Sequence, residues 1–370
     1  MPVDESLAEA RRVLGICNVC GYCNGFCDLF ESAKRRPALT DTDLAHLANL
    51  CHGCRNCLYA CQYAPPHVFA VNVPRALART RQRNDAEYAW PRAWSGLLAQ
   101  EPRIALLVTG GAIGLLLGIV LIGVPPETLF AAHAGAGAFY RILPWWVMVL
   151  IGVLPLGWSL LAIGTGLRRY WRATGAPEPI TAPVLWSAVR DVLTLRNQRG
   201  GGPGCNDLDD RPSHWRRWLH QTLLLGLLLC LVATLTAGLY HHFLGWQAPY
   251  PWLSLPVVFG TLGGIAMTIA ALGLAWLQRR EDRTPTDPAA RAADRAFLAQ
   301  LFLVAATGLA LLAWRATPAM GLLLAFHLGS VLAFFLLLPY GKFVHGGYRF
   351  LALVNEAMDR RRGDARARGP

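Results

Sequence analysis

The chain has 370 residues, of which 54% are hydrophobic and only 16% charged, with a net charge of +12. That length allows two or three domains, and so low a charged fraction excludes an ordinary soluble protein. The basic residues stand in short clusters beside long apolar runs. This points to orientation in a lipid bilayer and away from nucleic acid.

Residues 1–75 form a cysteine-rich segment that holds eight of the ten cysteines, all between Cys17 and Cys61. Residues 1–16 contain Asp4, Glu5 and Glu9 and no apolar core, so no signal peptide is expected. The segment is then expected in the cytosol, where thiols stay reduced and metal ligation is favoured over disulfides. Two runs repeat one spacing: Cys17-x2-Cys20-x2-Cys23-x3-Cys27 and Cys51-x2-Cys54-x2-Cys57-x3-Cys61. Three thiolates two residues apart can wrap three irons of one cubane, and the fourth reaches the other cluster when two runs are present. The expected ligands are Cys17, Cys20, Cys23 and Cys61 for one [4Fe–4S] cluster, and Cys51, Cys54, Cys57 and Cys27 for the other. Bacterial ferredoxins place proline after the fourth cysteine; here Asp28 and Gln62 follow. Structural zinc is the alternative, but it favours separate Cys-x2-Cys pairs. His52 and His67 lie beside the second run, where all eight ligand positions are filled, so a supporting or surface role is expected of them.

Residues 76–103 read as a polar connector carrying Arg79, Arg81, Arg83 and Arg92, with tryptophans at 90 and 94. The membrane domain is expected over 104–350. Six apolar runs are long enough to span, at about 104–123, 145–167, 219–243, 255–277, 297–314 and 320–345, the last counted through Pro339. A bilayer core needs roughly 20 helical residues, and helix is the default because each segment must satisfy its own backbone. The loop 168–218 holds nine arginines and the loop between spans four and five holds five; the three opposite loops hold only Arg141 and Arg315. The rich side is expected to be cytoplasmic, with both termini there. The tail 351–370, with Arg360, Arg361 and Arg362, reads as a basic cytoplasmic tail. The expected fold is thus mainly α: a small two-cluster domain of bacterial-ferredoxin type, then a six-helix transmembrane bundle.

Histidines bracket two of the spans. His220 opens span three and His241 and His242 close it; His327 lies near the start of span six and His345 just beyond its end. Histidine in or beside a span is costly, so a functional site is the default hypothesis. The eighteen residues from His327 to His345 are five helical turns, about 27 Å, and would put both on one face if the helix ran through Pro339. Spans three and six are antiparallel, so two bis-histidine haem b sites suggest themselves. His220 with His345 would serve the cytoplasmic side, and His327 with His242 or His241 the external side. His220 to His242 is roughly 40° off one face and His220 to His241 roughly 60° off on the other side, so both stay open. The alternative is that these are anchoring residues at helix ends. His214 is a substitute ligand near His220. His46 and His133 have no visible partner, and Cys230 reads as a small apolar residue in span three.

The turn Gly200–Asp207 is glycine-rich but lacks the strand and helix of a phosphate loop. A docking or cofactor-covering role is expected instead. No residue marks a quinone pocket.

The stretches ICNVCGYCNGFC, NLCHGCRNCLYACQYAPPHVFAVNVP, GGGPGCNDLDD and LPYGKFVH resemble the tricarballylate-utilisation protein B family, also called the CitB domain. The likeness runs from about residue 16 to 350. It implies the eight cysteines as cluster ligands, an FAD dehydrogenase as partner, and membrane quinone as acceptor. The same domain occurs fused behind a flavoprotein in a cobalamin-pathway enzyme. The span-six histidines also resemble haem ligands of the respiratory nitrate reductase gamma subunit. The implied function is an electron carrier of the bacterial inner membrane that reoxidises the partner's FAD through two clusters and one or two haems b. A membrane redox sensor and an electron donor to a thiol, disulfide or cobalamin-pathway flavoenzyme, in which Cys205 would matter, are the other readings.

Overall fold

The structure, a computed structural model, describes residues 3–94, 101–202 and 204–368. Part of the expected connector (95–100), Pro203 of the glycine-rich turn and the last two residues of the tail therefore lie outside the described residues. Among the described residues the only β pairing is an isolated bridge between Cys205 and Ser213; the rest of the regular structure is helical.

Five helices build the N-terminal domain: α1 (Val3–Cys20), α2 (Asp28–Lys34), α3 (Asp41–Leu50), α4 (Asn56–Tyr59) and α5 (Val73–Tyr88). Helix α3 starts on a capping box, in which Thr40 Oγ1 accepts from the Asp43 amide and the Asp43 carboxylate accepts from the Thr40 amide. Helix α5 starts on Asn72, whose side chain accepts from the Arg75 amide, with Pro74 in the first turn. Leu7, Val13, Leu14, Leu44, Leu47 and Leu77 close one core between α1, α3 and α5. Nearly half of the expected connector, residues 76–88, thus belongs to α5, and its Ala76 and Leu77 join the domain core. Its arginines hide the apolar stripe Val73, Ala76, Leu77 that packs inward.

Six long apolar helices follow: α6 (Pro102–Gly123), α8 (Trp145–Thr174), α10 (Trp215–Leu244), α11 (Leu255–Arg280), α12 (Pro288–Trp314) and α13 (Met320–Leu337). The short α7 (Pro126–Leu129) and α9 (Ala182–Leu193) lie in the connections. Packing runs α10 to α11 to α12 to α13 to α6, with α8 also against α13. Helix α13 is the most enclosed of the six, while α8 and α10 are the least. Exposed Leu106, Ile122, Leu154 and Leu235 would face lipid, where apolar surface costs nothing. Two glycines set a close crossing. A Cβ on Gly226 or on Gly263 would come within 2.8 Å of the other's carbonyl oxygen, so α10 and α11 meet backbone to backbone.

The sixth span differs from the expected 320–345. Helix α13 ends at Leu337, a short 3-10 turn covers Lys342–Val344, and His345 opens a new helix, α14 (His345–Arg368). Pro339 lacks the amide hydrogen a continuing helix would use, so the chain breaks there. The tail is likewise a packed helix. Leu353, Val354, Ala357 and Met358 of α14 join Leu50 of α3 and Val184 and Ala188 of α9 in a core. The tail's arginines had signalled solvent; its apolar face sits under the cysteine domain instead.

Candidate functional site

The cysteine thiols fall into two neighbourhoods. Burial pushes Cys17 up to about 12, and the charges it also feels are those of Cys23, Cys61 and Cys20. Burial likewise raises Cys23 to about 11, with Cys61 and Cys20 next in effect and Cys54 of the adjoining group after them. Burial raises Cys27, which feels Cys54 and Cys51, and it raises Cys57, which feels Cys54, Cys51 and Cys27 and, across the divide, Cys23. Helix starts and turns present the thiols: Cys17 and Cys20 end α1, Cys27 caps α2, Cys51 caps α3, and Cys57 lies in α4. All eight are free thiols. Among the described residues no three His, Cys, Asp or Glu side chains converge on a point that one ion would occupy. A cubane needs no such point, because each thiolate takes a different iron. Eight sulfur donors and no nitrogen or carboxylate donor in either group suit iron–sulfur clusters, and raised thiol pKa values are what a cationic iron would reverse.

The second neighbourhood abuts the bundle. The Cys51 carbonyl accepts from Arg81 Nη2 at 2.8 Å and from Arg349 Nη2 of α14 at 3.2 Å. Asn206 of the glycine-rich turn donates its amide to the Cys54 carbonyl at 3.0 Å, and Asn56 Nδ2 donates to the Gly200 carbonyl at 2.8 Å. The turn is therefore a docking strap over the second cysteine run. Gly204 has φ +115° and a Cβ there would strike the Ser213 carbonyl. Cys205 is buried with its Sγ on the Gln198 carbonyl, and burial raises its thiol, so it is no ready nucleophile.

His52 lies between Cys51 and Cys54, with Nδ1 on the Leu50 carbonyl at 2.8 Å. Burial holds its pKa well below the imidazole range, and Arg349, Arg81 and His220 add to this. It therefore reaches toward the bundle, a position the sequence reading did not give it. The only signal available was its place inside the cysteine run.

The structure brings His220 and His345 together, with ring centroids 6.3 Å apart and planes at 90°. Two imidazoles bound to one metal from opposite sides lie roughly 6 Å apart, from nitrogen–metal bonds of about 2 Å plus half a ring on each side. His345 Nδ1 bonds the Lys342 carbonyl, which fixes the tautomer and leaves Nε2 free as a ligand. His220 Nδ1 is buried with no hydrogen-bond partner. These two residues fit a bis-histidine haem. The helix break after Leu337, and not a continuous helix, delivers His345 to this place.

The external pairing is not drawn together. His327 Nδ1 is 3.0 Å from Thr307 Oγ1, and Gly308 leaves room for its ring. His241 stacks on Trp145 at 4.6 Å and sits 3.2 Å from the Tyr140 hydroxyl, while His242 meets the edge of Trp145 at 5.1 Å. Among the described residues no ring contact joins His327 to His241 or His242. His214 precedes α10 and packs on Trp218. His133 bonds the Thr128 carbonyl, and His67 packs between Tyr63 and Phe69.

Asp28, standing where ferredoxins carry proline, has a structural role. It accepts from Arg196 at 3.0 Å and from Arg360 at 3.2 Å, tying the first run to the loop and to α14.

A cysteine domain that suits iron–sulfur clusters, packed on six helices long and apolar enough to cross a membrane, fits the class of membrane redox proteins. The comparisons carry this to a family. Residues 10–87 match the Citrate utilization protein B Fer4-like domain, and residues 96–366 match the Citrate utilization protein B domain. Citrate utilization protein B of Escherichia coli is 41% identical over 364 residues, covering 97% of this chain and 94% of that protein. No solved structure matches the chain. The chain belongs to the Citrate utilization protein B family.

Proposed function

We propose that the chain reoxidises the reduced FAD of a partner dehydrogenase and passes the electrons, one at a time, to the quinone pool of a bacterial inner membrane. The name of the Escherichia coli relative points to citrate as the partner's substrate class, and the resemblance to the tricarballylate-utilisation family adds tricarballylate. One observation carries the reading: Arg349, one helical turn after His345, donates to the Cys51 carbonyl at 3.2 Å and so ties the second cysteine run to the helix that bears one member of the His220–His345 pair. In this reading Cys17, Cys20, Cys23 and Cys61 hold one cluster, Cys51, Cys54, Cys57 and Cys27 hold the second, and His220 and His345 hold a haem b.

When bound, these groups supply one-electron carriage, and the protein supplies position and electrostatics. Entry is at the first run. Cys20 is the one exposed thiol of the eight, and it lines a surface hollow with the exposed apolar residues Val19 (91%) and Phe69 (47%), a patch for the partner. Exit is at the second. Arg81 and Arg349 put two cations beside Cys51, which favours the reduced state of the group these thiolates hold. That charge draws electrons away from the patch and toward the bundle. The arginine-rich connections lie on the side of the cysteine domain, which supports a cytoplasmic location for both.

The reading is tested by mixing the holoprotein with its reduced flavoprotein partner and a soluble quinone. Quinone reduction is expected in the wild type. It is expected to fall at least tenfold in His220→Leu and His345→Leu, with loss of the haem b alpha band, and to persist in His241→Leu. Absence of quinone reduction in the wild type would favour a redox sensor.

A further inference from the structure

We propose that quinone is bound and reduced in the cleft between α6, α12 and the α13–α14 turn, with Lys342 as the group that bonds its carbonyl. This rests on the reading of the chain as a quinone-reducing carrier and gives that reaction a place. The cleft encloses about 40 Å³ within some 490 Å³ of space that is open to solvent, so a ring enters by parting its side chains, and its walls are almost entirely apolar. Phe343 meets Phe297 at 6.4 Å and Phe334 at 6.1 Å, ring to ring, so three aromatic side chains frame a slot suited to a flat ring. Gln300, also on the wall, spends its side chain on the Thr109 hydroxyl at 2.8 Å and the Ser330 carbonyl at 3.0 Å. It ties α12 to α6 and α13 and is not available to a ligand.

The polar groups lie at one end. Lys342 Nζ is 2.8 Å from Asp294 Oδ1, and the Lys342 side chain is mostly buried while that of Asp294 is 36% exposed. Glu101, at the start of α6, is exposed at the same end of the cleft. At the α6 wall, next to Ala105, Leu106 and Leu107 are exposed apolar residues, so an isoprenoid tail can leave directly into lipid. The electron side is adjacent. The Lys342 carbonyl is the partner of His345 Nδ1, and Gly341, Lys342 and Phe343 all line the cleft. An aromatic slot, an exit into lipid, one buried cation and a water-facing carboxylate therefore meet one turn from the histidine pair. A quinone can use each of these. A lipid acyl chain would use only the apolar walls.

The step balances as quinone plus two electrons plus two protons giving hydroquinone, both carbonyls becoming hydroxyls. The electrons originate in the reduced flavin of the partner. The protons come from water on the side of the cysteine domain. Lys342 hands one to the developing oxyanion and is recharged along Asp294.

The test uses the holoprotein in nanodiscs, reduced anaerobically with stoichiometric reduced flavin mononucleotide and then mixed with decylubiquinone. Reoxidation is followed in the visible spectrum. Lys342→Met should slow it at least tenfold at saturating quinone, with Lys342→Arg retaining most of the rate. Ala296→Trp, which fills the slot, should raise the KM for quinone and leave kcat near wild type. In parallel, an azido-quinone should label wild-type peptides within 293–300 or 334–343, and decylubiquinone should compete for that label. Label elsewhere, label not competed by quinone, or unchanged reoxidation in folded variants would overturn the site while leaving quinone reduction in place. Failure of any quinone to reoxidise the wild type would overturn the site and the proposed function together.

Discussion

His46 shows how a residue with no partner in the sequence acquires one in the fold. Its ring is buried in α3, with Nε2 3.2 Å from the Ser32 hydroxyl and Nδ1 3.5 Å from Asn355 of α14. Burial holds its pKa well below the usual imidazole value, and the charges of Arg36 and Arg35 lower it further. In the unfolded chain it takes a proton near pH 6.5. Its contribution to stability is therefore complete above about pH 6.5 and is lost as pH falls toward the lower folded value. The melting temperature of the holoprotein should drop between pH 7.5 and 5.5, and His46→Gln should flatten that slope; an equal slope in both proteins would refute the assignment. The partners of His46 lie 14 and 309 residues away, which is why no local pattern revealed them. The cysteines were legible for the opposite reason. Three of each four proposed ligands sit within one short run, and the iron–sulfur reading follows from that spacing alone. The His220–His345 pair falls between these cases. Its two members were visible as histidines at span ends, but the helix meant to align His345 stops at Leu337.

At the scale of elements, length and hydropathy were enough for the six spans, since a bilayer fixes the length of what crosses it. Ends were less legible. Helix α12 begins at Pro288, nine residues before its apolar run, because Asp287 caps it through the Ala289 and Ala290 amides and is itself held by Arg79 of α5. Helices α5 and α14 were hidden by their arginines, whose long side chains cover the apolar face beneath. The α10–α11 crossing carries the next prediction. Gly263 faces Cys230 and Gly226 at 2.8 Å, so a larger side chain must push α10 outward. Gly263→Val should cost about 1–3 kcal/mol, and because α10 carries His220, it should also lower haem retention. The check is haem per chain after detergent extraction together with the thermal midpoint. Wild-type values for both would show that the two backbones do not meet there.

The whole molecule depends on seating the cysteine domain against the bundle. Arg55 of the cysteine domain pairs with Glu281 at the end of α11, and the two side chains are only 4% and 2% exposed. Arg216 of α10 joins Glu281 at 2.7 Å and Asp207 at 2.8 Å. Removing one member of a buried pair strands the other as an uncompensated charge, at a cost of about 3–5 kcal/mol. Glu281→Ala should therefore loosen the domain: the visible absorption of the clusters should bleach at a lower temperature than in wild type, while the bundle's far-ultraviolet helix signal persists. Simultaneous loss of both signals would mean that the two parts fold as one unit regardless of this contact. The same seating holds Arg349, one turn after His345, on the Cys51 carbonyl, and the proposed electron path relies on it. That path requires two cubanes, and acid-labile sulfide counts them without interference from haem or zinc. Anaerobically prepared protein should contain about eight sulfides per chain; a value near zero, with zinc in their place, would contradict the account.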